Sequence, residues 1–169
     1  MSSVRKRVSA AVIGAVAVVG VLAPAATAAA EPATRSAPKA AASAQAESVK
    51  LDVVTATLNI SNRIFDIVVQ AIEQNQNRSG YVKSLVEGAF YDADQAHNVM
   101  VIKADHPYTT ENLENVVYDA TVHGDGYPSF RVLVFDSGVI TNEGDGGYIN
   151  WAFRGWFDRS DMTVTFHQP

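Results

Sequence analysis

Hydrophobic and polar positions recur with two different periods along this chain, and the change of period divides it. From Ser48 to Gln74 a polar stripe of Asp52, Thr55, Asn59, Asn62, Asp66, Gln70 and Glu73 returns at three- and four-residue steps. Val53, Val54, Leu58, Ile60, Ile64, Phe65, Ile67, Val68 and Ile72 fill the remaining face. That spacing predicts an amphipathic helix with a wide apolar side. Thr55 to Ile60 also alternates like a strand, but the longer stripe favours the helix. Its many β-branched residues lower intrinsic helix propensity, so tertiary packing must hold it. Residues 75–80 break the pattern, and Ser79 is the expected N-cap of a second helix. Tyr81, Val82, Leu85, Val86, Ala89 and Phe90 form its stripe, with Lys83 and Glu87 a favourable i,i+4 pair.

After Asp94 the period becomes two. Residues 98–103 read as a first strand and 111–123 as a second, with Val116, Tyr118, Ala120 and Val122 on one face. The turn at 124–129 makes a hairpin with a third strand over 130–139, apolar on both faces and therefore central. Residues 141–147 form the next turn. The stretch from Gly144 to Phe157 holds both tryptophans, two of the seven phenylalanines and four of the eleven glycines, and supplies the fourth strand. A polar turn over 158–161 leads to a fifth strand over 162–167. Helices followed by short hairpin-linked strands predict an α+β fold. The expected architecture is two N-terminal helices on one face of a roughly five-stranded antiparallel meander sheet, cystatin-like in outline, with a small barrel as the alternative.

The first thirty residues stand outside this pattern. Arg5-Lys6-Arg7, an apolar run from Val8 to Leu22 and small residues around Ala26 to Ala30 predict a cleaved signal peptide and a secreted, extracellular protein. Residues 31–47, with seven alanines and two prolines, predict a disordered linker or propeptide. A single globular domain is left over 48–169, long enough to bury a core without staples. Loss of the leader removes three basic residues and leaves ten against eighteen acidic ones, a net charge of −8 rather than −5. That balance argues against a broad basic surface for nucleic acid and against anionic membranes, so no membrane association is expected after cleavage. The absence of cysteine excludes disulfides, a thiol nucleophile and thiolate metal sites. A monomer is expected, with an unidentified protein or small ligand as its partner.

Alternation assigns faces to the strands. On the aromatic strand the odd positions Ile149, Trp151, Phe153, Gly155 and Phe157 are apolar or glycine and are expected to face the helices. The even positions Tyr148, Asn150, Arg154 and Trp156 then point outward. His167 on the last strand and Asp119 and His123 on the second join them. Two aromatics, an arginine, an amide and two histidines on an open sheet make a candidate binding face. The plainer alternative is that Arg154 stacks on Trp156 or Tyr148 in an ordinary solvated surface.

Other chemistry is weaker. Asp94-x-x-His97 and His123-Gly-Asp125 each offer two metal ligands without the spacing of a zinc or calcium site, so no metal and no cofactor are expected. No Gly-x-Ser-x-Gly elbow or phosphate-cradling loop is present. Asp119 or Asp136 with Arg154 and His167 would imitate the carboxylate, arginine and histidine of small secreted ribonucleases, a metal-independent hydrolase. A secreted toxin or inhibitor is a third reading. The leading expectation is a non-enzymatic binding domain.

The aromatic stretch Gly146-Gly-Tyr-Ile-Asn-Trp-Ala-Phe-Arg-Gly-Trp-Phe157, with Asn98-Val-Met-Val upstream and Val132-Leu-Val-Phe-Asp-Ser-Gly138 between them, resembles a group of small exported proteins of actinomycetes and filamentous fungi labelled "stress protein". The resemblance covers about residues 80–169. It implies an exported single domain and carries over no catalytic residues.

Overall fold

The computed structural model describes residues 48–169. The leader and linker expected over 1–47 lie outside the described residues. Among the described residues the fold is α+β, with two helices and two antiparallel sheets. It begins with strand β1 (Val49–Ala56), where the polar stripe predicts a helix. Helix α1 starts only at Ser61 (Ser61–Glu73). The stripe through Asp52 and Thr55 misleads because β1 is a largely exposed edge strand with a register irregularity between Val53 and Thr55, so a three-residue polar step there is no sign of a helix. Val53, Val54 and Thr55 favour extended backbone, and β4 offers β1 a ladder from Val49↔Gly124 to Ala56↔Tyr118.

The two helices otherwise follow their patterns. Ile64, Ile67, Val68 and Ala71 of α1 are buried, as are Tyr81, Val82, Leu85, Val86, Ala89 and Phe90 of α2 (Arg78–Asp92). The α2 cap is Asn77 rather than Ser79: the Asn77 side chain accepts the Gly80 N–H at 2.9 Å. Glu87 turns to Arg154 at 2.8 Å, so its ion-pair partner is not the expected Lys83.

The remaining strands are β2 (Asn98–Lys103), β3 (Tyr108–Glu114), β4 (Tyr118–Gly124), β5 (Phe130–Phe135), β6 (Ser137–Asn142), β7 (Trp151–Arg154), β8 (Phe157–Ser160) and β9 (Thr163–Phe166). The first sheet runs β1-β4-β5-β2-β7 and the second β3-β6-β9-β8. Both have open edges, so neither a single meander nor a closed barrel forms. Three expected strands are each cut in two. The 111–123 strand divides between β3 and β4 beyond Asn115, which adopts a positive φ of 46°. The 130–139 strand divides at Asp136. These two breaks face each other, because Glu114 pairs with Ser137 and Tyr118 with Val134. One long hairpin therefore bends at its middle and supplies two strands to each sheet, a common way to turn a corner between packed sheets. The aromatic strand breaks at Gly155, where φ is 134°, into β7 in the first sheet and β8 in the second. The segment expected as the polar turn 158–161 is largely β8.

Both faces of the first sheet are covered over much of its area. Val99, Val101, Tyr118, Ala120, Val122, Phe130, Val132, Val134 and Ala152 pack with the helices. Met100, Ile102, Leu133, Phe135 and Trp151 pack instead with Ile140, Val164 and Phe166 of the second sheet. Trp151 and Phe153 thus face the second sheet, while Ala152 faces the helices, the reverse of the expected assignment. Alternation separates the two faces of a strand, but cannot say which face meets which layer when both are apolar.

Candidate functional site

The seven candidate residues do not share one face. Arg154 lies at the end of edge strand β7, on the helix side. Its Nη1 donates to Glu87 at 2.8 Å and its Nη2 to the Tyr91 hydroxyl at 3.2 Å. Its guanidinium carbon sits 4.9 Å from the Phe90 ring centroid and 5.3 Å from that of Tyr91. The stacking expected on Trp156 or Tyr148 is made by these helix aromatics. The Trp156 ring packs 6.0 Å from Phe90 and remains 40% exposed. Tyr148 lines a cleft with Gly146, Trp151, Phe153 and Arg159, and partial burial there, with the Glu87 carboxylate second, raises its phenol above the ordinary value. Glu87, Arg154, Tyr91 and Trp156 therefore form an aromatic rim around Phe90, between the end of β7 and α2. The charge of Arg154 is matched by Glu87.

Asn150 is structural. Its Oδ1 accepts from Arg78 and its Nδ2 donates to Asp145 at 2.9 Å, closing the turn before β7. His167 pairs with Asp158 at 2.9 Å on the second sheet and is exposed.

Asp119 and His123 sit elsewhere, on the β4 face turned away from the helices. Asp119 is only 6% exposed and takes a bidentate contact from Arg131 at 2.8 and 2.7 Å. Arg131 also donates to the Tyr108 hydroxyl at 2.6 Å. The hydrogen bonds from Arg131 to Asp119 hold the guanidinium pKa above its already high value. The His123 ring lies between Ser129 Oγ, 2.7 Å from Nδ1, and Asp52 Oδ2, 2.9 Å from Nε2. The Lys50 ammonium, hydrogen-bonded to Asp52, holds that carboxyl below its usual range. Beside His123 opens a cleft of about 370 Å³ lined by Lys103, Ala104, Asp105, His123, Pro128 and Ser129.

The ribonuclease-like set is not assembled. Asp136 is held by His97 at 2.6 Å and Asn115 at 2.8 Å, Asp119 by Arg131, Arg154 by Glu87, and His167 by Asp158. Each group meets a different partner.

Neither a family model nor a solved structure matches the chain. Stress response protein YvgO of Bacillus subtilis (strain 168) is 43% identical over 138 residues, covering 82% of this chain and 82% of that protein. This chain belongs to the YvgO stress-response family. The matched length is far greater than the first 47 residues, so the family relationship runs through the folded domain. It agrees with the stress-protein resemblance of the aromatic stretch. The matched relative is a Bacillus protein, so it adds nothing to the actinomycete and fungal part of that resemblance.

Sequence reasoning did not find Asp52, Ser129, Arg131, Glu87 or Tyr91. Asp52 and Ser129 reach His123 only through the β1–β4 pairing and the β4–β5 hairpin. The sequence pattern pairs Glu87 with Lys83 and leaves Tyr91 outside the apolar stripe of α2. One local signal was present: Lys50, Asp52, Thr121 and His123 place polar groups at every second position of two strands, the mark of a solvated sheet face.

Proposed function

We propose that this member of the YvgO family is an exported domain that binds neutral glycan through the rim of Glu87, Arg154, Tyr91 and Trp156. The leader pattern in residues 1–30 supports export. The observation that carries the binding reading is a pair of half-exposed rings, Tyr91 and Trp156, that gather with Phe90 beside an ion pair that is already neutral. Tyr91 is 53% and Trp156 40% exposed. Exposed rings gathered at one edge present stacking faces, and half-buried Arg and Glu side chains offer fixed donors and acceptors beside them. Because Arg154 is neutralised by Glu87, the rim has little attraction for an anion, and a sugar ring matches its mixed apolar and hydrogen-bonding character.

Trp156→Ala tests this reading. Its ring is at the surface, and its backbone N–H, which donates to Asn98 Oδ1 at 2.7 Å, is kept by alanine. The variant is expected to retain the melting temperature to within a few degrees and to lose about tenfold or more in affinity for glycan, as removal of a stacking aromatic does at interfaces. Isothermal titration with glucose-, mannose- and N-acetylglucosamine-based oligosaccharides measures it. Equal affinity in the variant and the parent would remove Trp156 from the site.

A further inference from the structure

The Ser129–His123–Asp52 chain has the connectivity of a nucleophile, a base and an orienting carboxylate, and it opens onto a cleft. Register explains how the three meet. Val122 pairs with Phe130, so Ser129, one residue earlier on the hairpin, comes opposite His123. On the other side Lys50 pairs with His123 and Asp52 with Thr121, which sets Asp52 diagonally across from the imidazole. An ionised Asp52 can only accept, so Nε2 carries the hydrogen and donates to it, and the Nδ1 lone pair accepts the Ser129 hydroxyl. This is the tautomer that a general base needs. The two ring nitrogens are exchanged relative to the common serine-hydrolase order, but the chemistry requires only that one nitrogen meets the hydroxyl and the other the carboxylate.

The surroundings limit the substrate. Ser129 and His123 line the cleft of about 370 Å³, whose walls include the apolar Ala104 and Pro128 and the cation Lys103. Lys103 is paired with Asp105 at 2.7 Å, so the cleft has little net charge. Its size suits an acyl group of a few carbons rather than a polymer. His123 and Asp52 are 39% and 48% exposed at their side chains. Water weakens electrostatic stabilisation in such an open site, which favours a carbonyl that needs little activation.

We propose that Ser129, His123 and Asp52 form an esterase site for small uncharged carboxylic esters, separate from the aromatic rim. Ser129 Oγ adds to the ester carbonyl carbon while its proton passes to His123 Nδ1. Collapse breaks the bond to the alkoxy oxygen, which leaves as the alcohol with that proton, and an acyl-serine remains. Water then adds to the acyl carbon and gives its proton to Nδ1. The bond to Oγ breaks, the proton returns to Ser129, and the carboxylic acid departs. Lys103 is the cation in the cleft able to offset charge on the carbonyl oxygen in both tetrahedral states. Asp52 is a positioning residue, acting through His123.

The test uses the full chain with a fluorophosphonate probe and with p-nitrophenyl acetate and butyrate. Peptide mass spectrometry is expected to find the probe on Ser129 of the native fold and not after denaturation. His123→Gln is expected to reduce labelling and ester hydrolysis by roughly 100-fold, and Ser129→Ala to reduce hydrolysis as much with an unchanged melting curve. Asp52→Asn should lower kcat by roughly tenfold or more while leaving KM in place, a split that a loss of folding would not produce. Labelling absent from Ser129 in the folded parent protein, or hydrolysis by Ser129→Ala at the parent's rate, would overturn the proposal. Because labelling is read on the unsubstituted protein, the result stands even if a variant fails to fold.

Discussion

Replacing Trp151 with alanine is expected to destabilise the domain by about 3–5 kcal/mol, the range for deleting a large buried aromatic. The side chain is 2% exposed and lies between the two sheets, in the cluster with Met100, Ile102, Leu133, Phe135, Ile140, Val164 and Phe166. Its ring meets Phe153 at 5.1 Å, and the Arg159 guanidinium covers it at 5.2 Å. Its indole N–H donates to Gly146 O at 3.1 Å and so ties the glycine-rich turn to the core. Alanine would leave a cavity that close-packed strands on both sides cannot collapse into. Urea denaturation read by circular dichroism gives the midpoint. A loss below about 1 kcal/mol would be the size of a surface change and would contradict the placement of this residue between the sheets.

Asn98→Ala is expected to cost about 2–4 kcal/mol, although it removes only a small side chain. Asn98 is fully buried, and its amide makes three contacts at the points where the chain passes between sheets. Nδ2 donates to Asp136 O, at the bend of the long hairpin, at 2.5 Å and to His167 O beyond β9 at 2.8 Å. Oδ1 accepts the Trp156 N–H at 2.7 Å, between β7 and β8. Alanine leaves all three backbone groups without that partner, and each buried group left unsatisfied costs about 1–3 kcal/mol, less where water can replace the amide. Gly155 tests the same junction from the other side. A Cβ there would lie 2.1 Å from Asn98 Oδ1, and the φ of 134° disfavours any L side chain. Gly155→Ala should therefore destabilise comparably. The two losses should fall short of additive when combined, because each disrupts the same contact.

The parts of this fold that were legible in the sequence are those in which one local pattern meets one environment. The stripe of α2 and the extent of β2 were both readable, since Leu85 or Val101 has only one way to be buried. Ser48 to Ile60 was not, because the choice between helix and strand there depends on β4, some sixty residues away, offering a ladder. The three divided strands were hidden for a related reason. Residues 111–123, 130–139 and 148–157 keep their alternation across the break, while Asn115, Asp136 and Gly155 redirect the backbone from one sheet to the other. The second sheet also accounts for the reversed faces of Trp151 and Ala152.

The site was partly legible. Of Tyr148, Asn150, Arg154 and Trp156, the even positions that packing leaves unexplained in the sequence, Arg154 and Trp156 meet at Phe90, while Tyr148 lines the cleft with Trp151 and Arg159. Asn150, His167, His123 and Asp119 were grouped with them by an open sheet face that the second sheet and the bend abolish. Their actual partners, Arg78, Asp158, Ser129 with Asp52, and Arg131, are set by register and loop closure rather than by alternation within any one strand.

The division between a buried Trp151 and a ligand-reading Trp156 is tested most directly by tryptophan emission during oligosaccharide titration, using Trp156→Phe and Trp151→Phe as single-tryptophan proteins. Emission from Trp156→Phe, which reports the indole between the sheets, should be blue-shifted and should not respond to any sugar. Emission from Trp151→Phe should be red-shifted and should change with the saturation curve of the parent protein. A sugar response preserved in Trp156→Phe, or a parent protein whose emission no oligosaccharide in the panel alters, would contradict glycan binding at the rim.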